Sequence, residues 1–447
     1  MGTIPELEGA LQLVLEASAS EHGVASGWQQ RRAGLRPSQF VQTLVFGFLE
    51  DPHATLGHLA RVAHALGARV TPQAISQRFT PAAVALLRGV LTDALGVLLQ
   101  AEPVAVALLQ AFPGGVYLND STQLALHDDW REAWPGSGMA AALKLPTRFD
   151  LLCGGVQLAL TPARQHDAVT PLANAPAPPN SLLVEDTGYL HVDRMQQRLA
   201  AGGATIVPMR ATLALYDAPD APDATDATDA PDAPDAPGAP GQRLDLLAWL
   251  RQQADPLVER TVHTGGLTLR LVAVRASPQT VARHQASIRE AAQNHGRRPP
   301  ALPLALADWI LILTTATQEQ ATAAQIATLL RLRWQIELLF KLWKDQGKLD
   351  ETRGWNPARI EVEWYAKLLG LLVQHWVLLT TGWQWANRSL VKAGQTIREF
   401  ARCLCRDWRD PARLRRLLDQ IAQSVAIAGR IGSHCHQHSA AFYAGST

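Results

Sequence analysis

Apolar positions in the first hundred residues recur at helical spacing. Residues 38–48 form an apolar helix, and residues 55–66 carry Leu56, Leu59, Val62, Ala63 and Leu66 along one face before Gly67 ends the run. Thr71 is then placed to cap a helix whose first position is Pro72, and the same Thr-Pro start recurs at Thr80-Pro81, opening a helix that runs towards Gln100. At Gly114 the period drops to two. Val116, Leu118 and Asp120 alternate with Tyr117 and Asn119, which predicts a strand closing on Asp120. Residues 144–153 and 156–161 read as a hairpin about Gly154-Gly155. Residues 181–186 predict another short apolar strand that ends in an acid, Asp186, followed by a helix over 192–201 and a strand over 205–209. A second hairpin joins 256–263 to 267–276 through Thr264-Gly265-Gly266, and 308–315 is a buried strand. From residue 330 to 348 the helical period returns, with no Gly or Pro before Gly347, and the chain beyond it stays helical and Trp-rich.

One stretch has no period of either kind. Residues 217–241 repeat Asp-Ala-Pro/Thr with no apolar side chain larger than Ala. Such a segment cannot bury a core and is expected to be disordered or extended. Its seven carboxylates are no metal site, because metal ligands must converge from a fixed scaffold.

Composition is that of a globular protein, 47% hydrophobic and 18% charged, in 447 residues. The four cysteines are too few for a disulfide framework and point to a reducing compartment. Cys403-Leu-Cys405 and His434-Cys435-His436-Gln-His438 match no structural zinc spacing. The N-terminus lacks a basic region followed by an apolar run, which argues against a signal peptide. The most apolar stretch, 368–381, carries Gln374 and His375 and reads as a buried helix rather than a membrane span. The net charge of +1 is a sum of unlike parts: without the seven acids of the repeat it is +8, and residues 330–447 carry 18 Lys and Arg against 10 Asp and Glu. That basic third is compatible with a polyanionic partner. The two helices flanking Gly67 fit a helix-turn-helix whose Gln73, Ser76, Gln77 and Arg78 reach a DNA groove, and equally a small bundle that only packs.

The chemistry concentrates in 330–348. At about 100° per residue, with Arg333 at zero, Glu337 falls near 40° and Lys344 near 20°, so the three share a face while Ile336, Leu339, Phe340 and Trp343 share another. A lone acid between two cations is a surface ladder or a metal-holding carboxylate beside phosphate-holding cations. The helix alone favours the ladder. Asp120 and Asp186, each closing a strand, favour the second reading, because phosphodiester cleavage by two cations needs carboxylates that bridge and flank metals about 3.5–4 Å apart.

The segment around Arg333, Glu337 and Lys344, RLRWQIELLFKLWK, resembles the signature of bacterial insertion-sequence DDE transposases, in the insertion-sequence-four-type branch marked by Tyr-x2-Arg-x3-Glu-x6-Lys. Asp120-Ser-Thr resembles the first acidic motif of that family and Asp186-Thr-Gly188-Tyr189 the second. Leu330 stands where the signature has Tyr, so a phenolic contact to phosphate is missing. The resemblance implies an α/β (α+β) fold: an RNase H-like catalytic core over 111–210 and 306–385, interrupted by a mostly β insertion over 211–305. A helical DNA-binding region over 1–110 and a basic helical region over 386–447 flank it. It implies Asp120, Asp186 and Glu337 as catalytic metal ligands for two Mg²⁺ ions, with Mn²⁺ as a substitute, and Arg333 and Lys344 as DNA contacts, to which the helix-turn-helix reading adds Arg78. The implied activity is strand cleavage at the element's terminal inverted repeats and 3′-OH transfer to target DNA. The implied state is a homodimer in the synaptic complex, nucleoid-associated in a bacterial cytoplasm, with no membrane partner. Trp249 in the insertion is available to stack on an unpaired base or to pack. A relic that only binds DNA and an RNase H-like host nuclease are the alternatives.

Overall fold

The computed structural model describes residues 4–29, 34–217, 242–354 and 356–431. Residues 218–241, which make up nearly all of the repeat, and the His-rich segment 434–438 lie outside them. The chain divides into two compact units. The first comprises 1–106, 121–164 and 334–447, and the second 107–120 and 165–333. The strands are β1 (Val116–Ala125), β2 (Ala142–Asp150), β3 (Val156–Leu158), β4 (Thr161–Pro162), β5 (Leu182–Glu185), β6 (Ala204–Pro208), β7 (Leu257–Thr264), β8 (Leu267–Arg275) and β9 (Trp309–Thr314).

The second unit is built on a mixed sheet of order β1-β5-β6-β9-β8-β7. β1, β5 and β6 run parallel, and β9, β8 and β7 continue antiparallel. Leu182, Leu183 and Val184 are all buried, as expected of a parallel strand covered on both faces. The β7–β8 hairpin turns on Gly265 and Gly266, both at positive φ, the conformation a tight two-residue turn of this hand requires. A cluster including Leu250, Val262, Leu269, Leu271, Trp309 and Leu313 packs this side of the sheet, and Trp249 lies partly buried against it. The insertion was expected to be mostly β. It also carries helices Leu246–Arg251, Pro278–Asn294 and Ala301–Leu306, and its hairpin extends the sheet through β8 and β9. Ser277 caps the long helix at Thr280 N, a local signal that outweighs its polar composition.

In the first unit, helix Pro357–Thr381 is buried over most of its length and packs against helices Pro37–Glu50 and Pro81–Gly96. Asn356 caps it at Ala358 N, and Gly382 follows its last residue. No helix among the described residues is long and apolar enough to cross a membrane. β2 lies between β1 and β3, with β4 also paired to it. The link from β2 to β3 spans residues 151–155, longer than a two-glycine turn, and only Gly154 in it is at positive φ.

Two local expectations change. β1 does not close on Asp120: it continues to Ala125, because Thr122 and Leu124 keep the alternation and are buried. The stretch 330–348 is not one α-helix. Helix Ala323–Leu332 ends at Arg333, helix Trp334–Lys341 follows, and Leu342–Gln346 is a π-helix. The residues are good helix formers throughout, so composition gives no sign of the break or of the wider turn. Ile336, Leu339, Phe340 and Trp343 are buried as their spacing predicts.

Candidate metal centre

β1 and β5 are parallel and in register from Val116↔Leu182 to Asn119↔Glu185. Asp120 and Asp186 are the residues immediately beyond that last pair. Asp186 is still extended, at φ −83° and ψ 165°, before the turn Thr187–Tyr189. Side chains alternate along a strand, so Asn119 and Glu185 project to one face and the two aspartates to the other. Both aspartates are half-buried. Two carboxylates at matching positions of neighbouring strands offer hard oxygen donors, the set that Mg²⁺ and Mn²⁺ take.

Asp120 is already engaged by a cation. Arg333 donates from its guanidinium to Asp120 Oδ2 at 3.0 Å, with the two side chains 24% and 19% exposed. Arg333 is delivered there by helix Ala323–Leu332, whose start is fixed by a reciprocal cap between Thr322 and Gln325. Arg333 is expected to contact phosphate and to share a face with Glu337; one partner of its guanidinium here is the first acid.

The turn after Asp186 is braced by arginines. Arg210 donates to the Thr187 carbonyl at 3.0 Å and Arg194 to the Tyr189 carbonyl at 2.9 Å. His191, beside them, is held below the ordinary imidazole range by burial first, then by the charges of Arg194 and Arg210. The surroundings of Asp186 are therefore electropositive, which suits a site for anionic substrate.

Behind the aspartates lies a buried polar cluster that the sequence reading missed. Asn119 donates to Glu185 Oε1 at 2.8 Å. Arg198 donates to both Glu185 oxygens, to Oε1 at 2.9 Å, and to the Ala173 carbonyl at 3.1 Å. Glu185 is 1% exposed and Arg198 8%. The signal available was a glutamate inside an otherwise apolar strand, Leu-Leu-Val-Glu.

Glu337 sits in the first turn of helix Trp334–Lys341, half-buried, in the first unit. Lys344 lies within the π-helix, so the uniform 100° step that put it beside Glu337 does not apply. Among the described residues no three or more His, Cys, Asp or Glu are gathered closely enough to hold a metal ion. Cys403 and Cys405 are free, and burial pushes the Cys405 thiol up to about 12. Arg78 follows helix Pro72–Ser76, a five-residue second helix after Leu56–Ala65, and its guanidinium stacks 4.9 Å from the Trp28 ring. A cavity of about 390 Å³ in the first unit, walled by Trp130, Trp134, Trp364 and Tyr365, contains none of the six expected site residues.

A family model for the transposase DDE domain matches residues 120–373, more than half of the chain, starting on Asp120 and enclosing Asp186, Glu337 and Lys344. The chain belongs to that family, and its mixed sheet with helical regions before and after fits the RNase H-like class. It is 23% identical over 318 residues to the transposase for insertion sequence element IS231F of Bacillus thuringiensis subsp. israelensis, covering 69% of this chain and 65% of that one. It is 21% identical over 371 residues to the transposase for IS1151 of Clostridium perfringens, covering 79% and 76%. It is 34% identical over 100 residues to the transposase for IS421 of Escherichia coli, covering 22% and 27%. The chain thus spans just under two thirds of the IS231F protein and about a quarter of the IS421 protein.

Proposed function

We propose that this protein is an insertion-sequence transposase that binds the terminal inverted repeats of its own element, cleaves a strand there with divalent metal ions, and joins the freed 3′-OH to target DNA. The observation that carries the reading is the pair Asp120 and Asp186, side by side past the last register pair of two parallel strands, within the stretch that the DDE domain model matches. Glu337 is assigned as the third ligand by the Arg-x3-Glu-x6-Lys spacing, which also supports the Tyr-Arg-Glu-Lys branch.

Magnesium bound there would supply Lewis-acid polarisation of a phosphoryl oxygen and activation of the attacking hydroxyl. The chain's own groups do the rest. Asp120, Asp186 and Glu337 supply the oxygen donors. Arg333 pairs with Asp120 and, with Asp120 holding a metal, would be available to hold a backbone phosphate. Lys344 adds a second phosphate contact, and Arg78 a contact from the helical region 1–110. Cleavage at both ends of an element calls for at least two protomers, so a homodimer on DNA is part of the reading.

The test is strand nicking of a duplex carrying the element's terminal repeat, with Mg²⁺ or Mn²⁺. Asp120→Ala, Asp186→Ala and Glu337→Ala are each expected to abolish nicking while leaving end binding within about threefold. Near-normal nicking by any one removes that residue from the site. Leu330, where the branch carries Tyr, favours a second reading: a protein that binds the repeats and does not cut. Binding without metal-dependent nicking by the unaltered chain would select it.

A further inference from the structure

We propose that Arg198 is a positioning residue: through Glu185 and Asn119 it fixes the spacing of Asp186 and Asp120, and so the affinity of that pair for a divalent cation. The inference rests on the metal-site reading above. Glu185 and Asn119 each directly precede one of the two aspartates, and they form the last pair in register between β5 and β1. Strand pairing ends at this point, so the two aspartate backbones have no ladder beyond them to set their separation. A side-chain bond, Asn119 to Glu185, takes over.

Arg198 then ties Glu185 to a third element. It lies in helix Val192–Ala200, which follows Asp186 after a short turn. The chain from Glu185 to Arg198 is therefore a closed loop, with the ion pair as its clasp and Asp186 as its first free residue. The same guanidinium reaches the Ala173 carbonyl, which anchors the clasp to the segment before β5. Stability alone does not account for the arrangement. Burying such a pair costs desolvation of both ions, and apolar replacements of similar volume are often neutral or stabilising. A planar fork bonding two carboxylate oxygens and a carbonyl fixes direction, which a point charge does not.

The experiment measures Mn²⁺ binding to the full chain without DNA, by electron paramagnetic resonance, alongside the thermal midpoint. Arg198→Lys keeps the charge and loses the fork. Its midpoint is expected within a few degrees of the unaltered protein, with Mn²⁺ affinity reduced several-fold. Glu185→Gln/Arg198→Met leaves no unmatched buried charge and keeps an acceptor for Asn119. It is expected to fold and to bind Mn²⁺ at least tenfold more weakly. Arg359→Met breaks a partly buried pair with Glu363 in the first unit and serves as control, lowering the midpoint without changing Mn²⁺ affinity. A folded Arg198 variant with unaltered affinity overturns the positioning role, as does an equal loss in the control. If the unaltered chain binds no Mn²⁺, the metal-site reading itself fails, and the positioning role falls with it.

Discussion

His375 is sealed in helix Pro357–Thr381, donating from Nε2 to the Gly154 carbonyl at 2.7 Å, with its ring edge-on to Phe149 and Trp383. Burial, the largest influence, pushes its pKa down to about 4. An unfolded histidine titrates near 6.5. Between those values the unfolded chain holds a proton that the folded chain does not. The contribution is thus fully present above about pH 6.5 and is lost as pH falls towards 4, to the extent of about 3 kcal/mol. Unfolding free energies from urea titrations at pH 7 and pH 4 are expected to differ by that much more in the unaltered protein than in His375→Gln. Equal differences in the two proteins would mean that the imidazole is not buried neutral. At this scale the sequence was most legible where a residue's setting depends on its neighbours in the chain: Asp186 directly follows a short apolar strand, whereas Asp120 lies inside an alternation that runs on to Leu124. Arg198 did not, because an arginine near the end of a polar helix looks like any other until the fold buries it against Glu185.

Elements were legible in kind and less so in their internal geometry. Both hairpins were readable from paired glycines, yet the glycines do different work. Gly265 and Gly266 both need positive φ, whereas in the β2–β3 link only Gly154 does, at +75°. A Cβ on Gly154 would also stand 2.4 Å from Leu379 and 2.6 Å from the Trp383 ring. A Cβ on Gly155 meets nothing nearer than 3.3 Å, the flexible side chain of Gln100. Gly154→Ala combines left-handed strain of about 1–2 kcal/mol with overpacking of about 1–3 kcal/mol, so a loss of about 3 kcal/mol is expected in chemical unfolding. Gly155→Ala is expected to cost less than about 1 kcal/mol, since its φ is not in the left-handed region and the nearest atom can move. Equal costs would place the strain elsewhere. The helix of 330–348 gives the matching lesson. An α-helix and a π-helix have the same composition and differ by one residue in where each N–H finds its acceptor, so the π-helix at Leu342–Gln346 left no trace in the periodicity.

Over the whole molecule, the chain passes between its two units after residues 106, 120, 164 and 333, so neither unit is one contiguous stretch. The expected segment boundaries, after residues 110, 210, 305 and 385, follow contiguous changes of hydrophobic period, which carry no sign of such crossings. The flanks of that repeat say what it contributes to folding. Asp217 N donates to the Gln242 carbonyl at 3.1 Å, Leu244 N donates to the Leu215 carbonyl at 2.8 Å, and Tyr216 bridges both Arg243 and His263. Residues 217 and 242 are thus backbone neighbours, and residues 218–241 carry no Val, Leu, Ile, Met or aromatic side chain. Closing a loop of that length costs about 2 kcal/mol more than closing one of two residues, by the logarithmic dependence on length. Replacing 218–241 with Asn-Gly, the sequence that suits a two-residue turn between antiparallel strands, is expected to leave the protein equally stable or up to about 2 kcal/mol more stable. The replacement also removes six acids, so retention on duplex DNA at low salt is expected to rise. Chemical unfolding of the shortened chain decides the matter: a loss above about 1 kcal/mol would mean that the repeat makes contacts the rest of the molecule depends on.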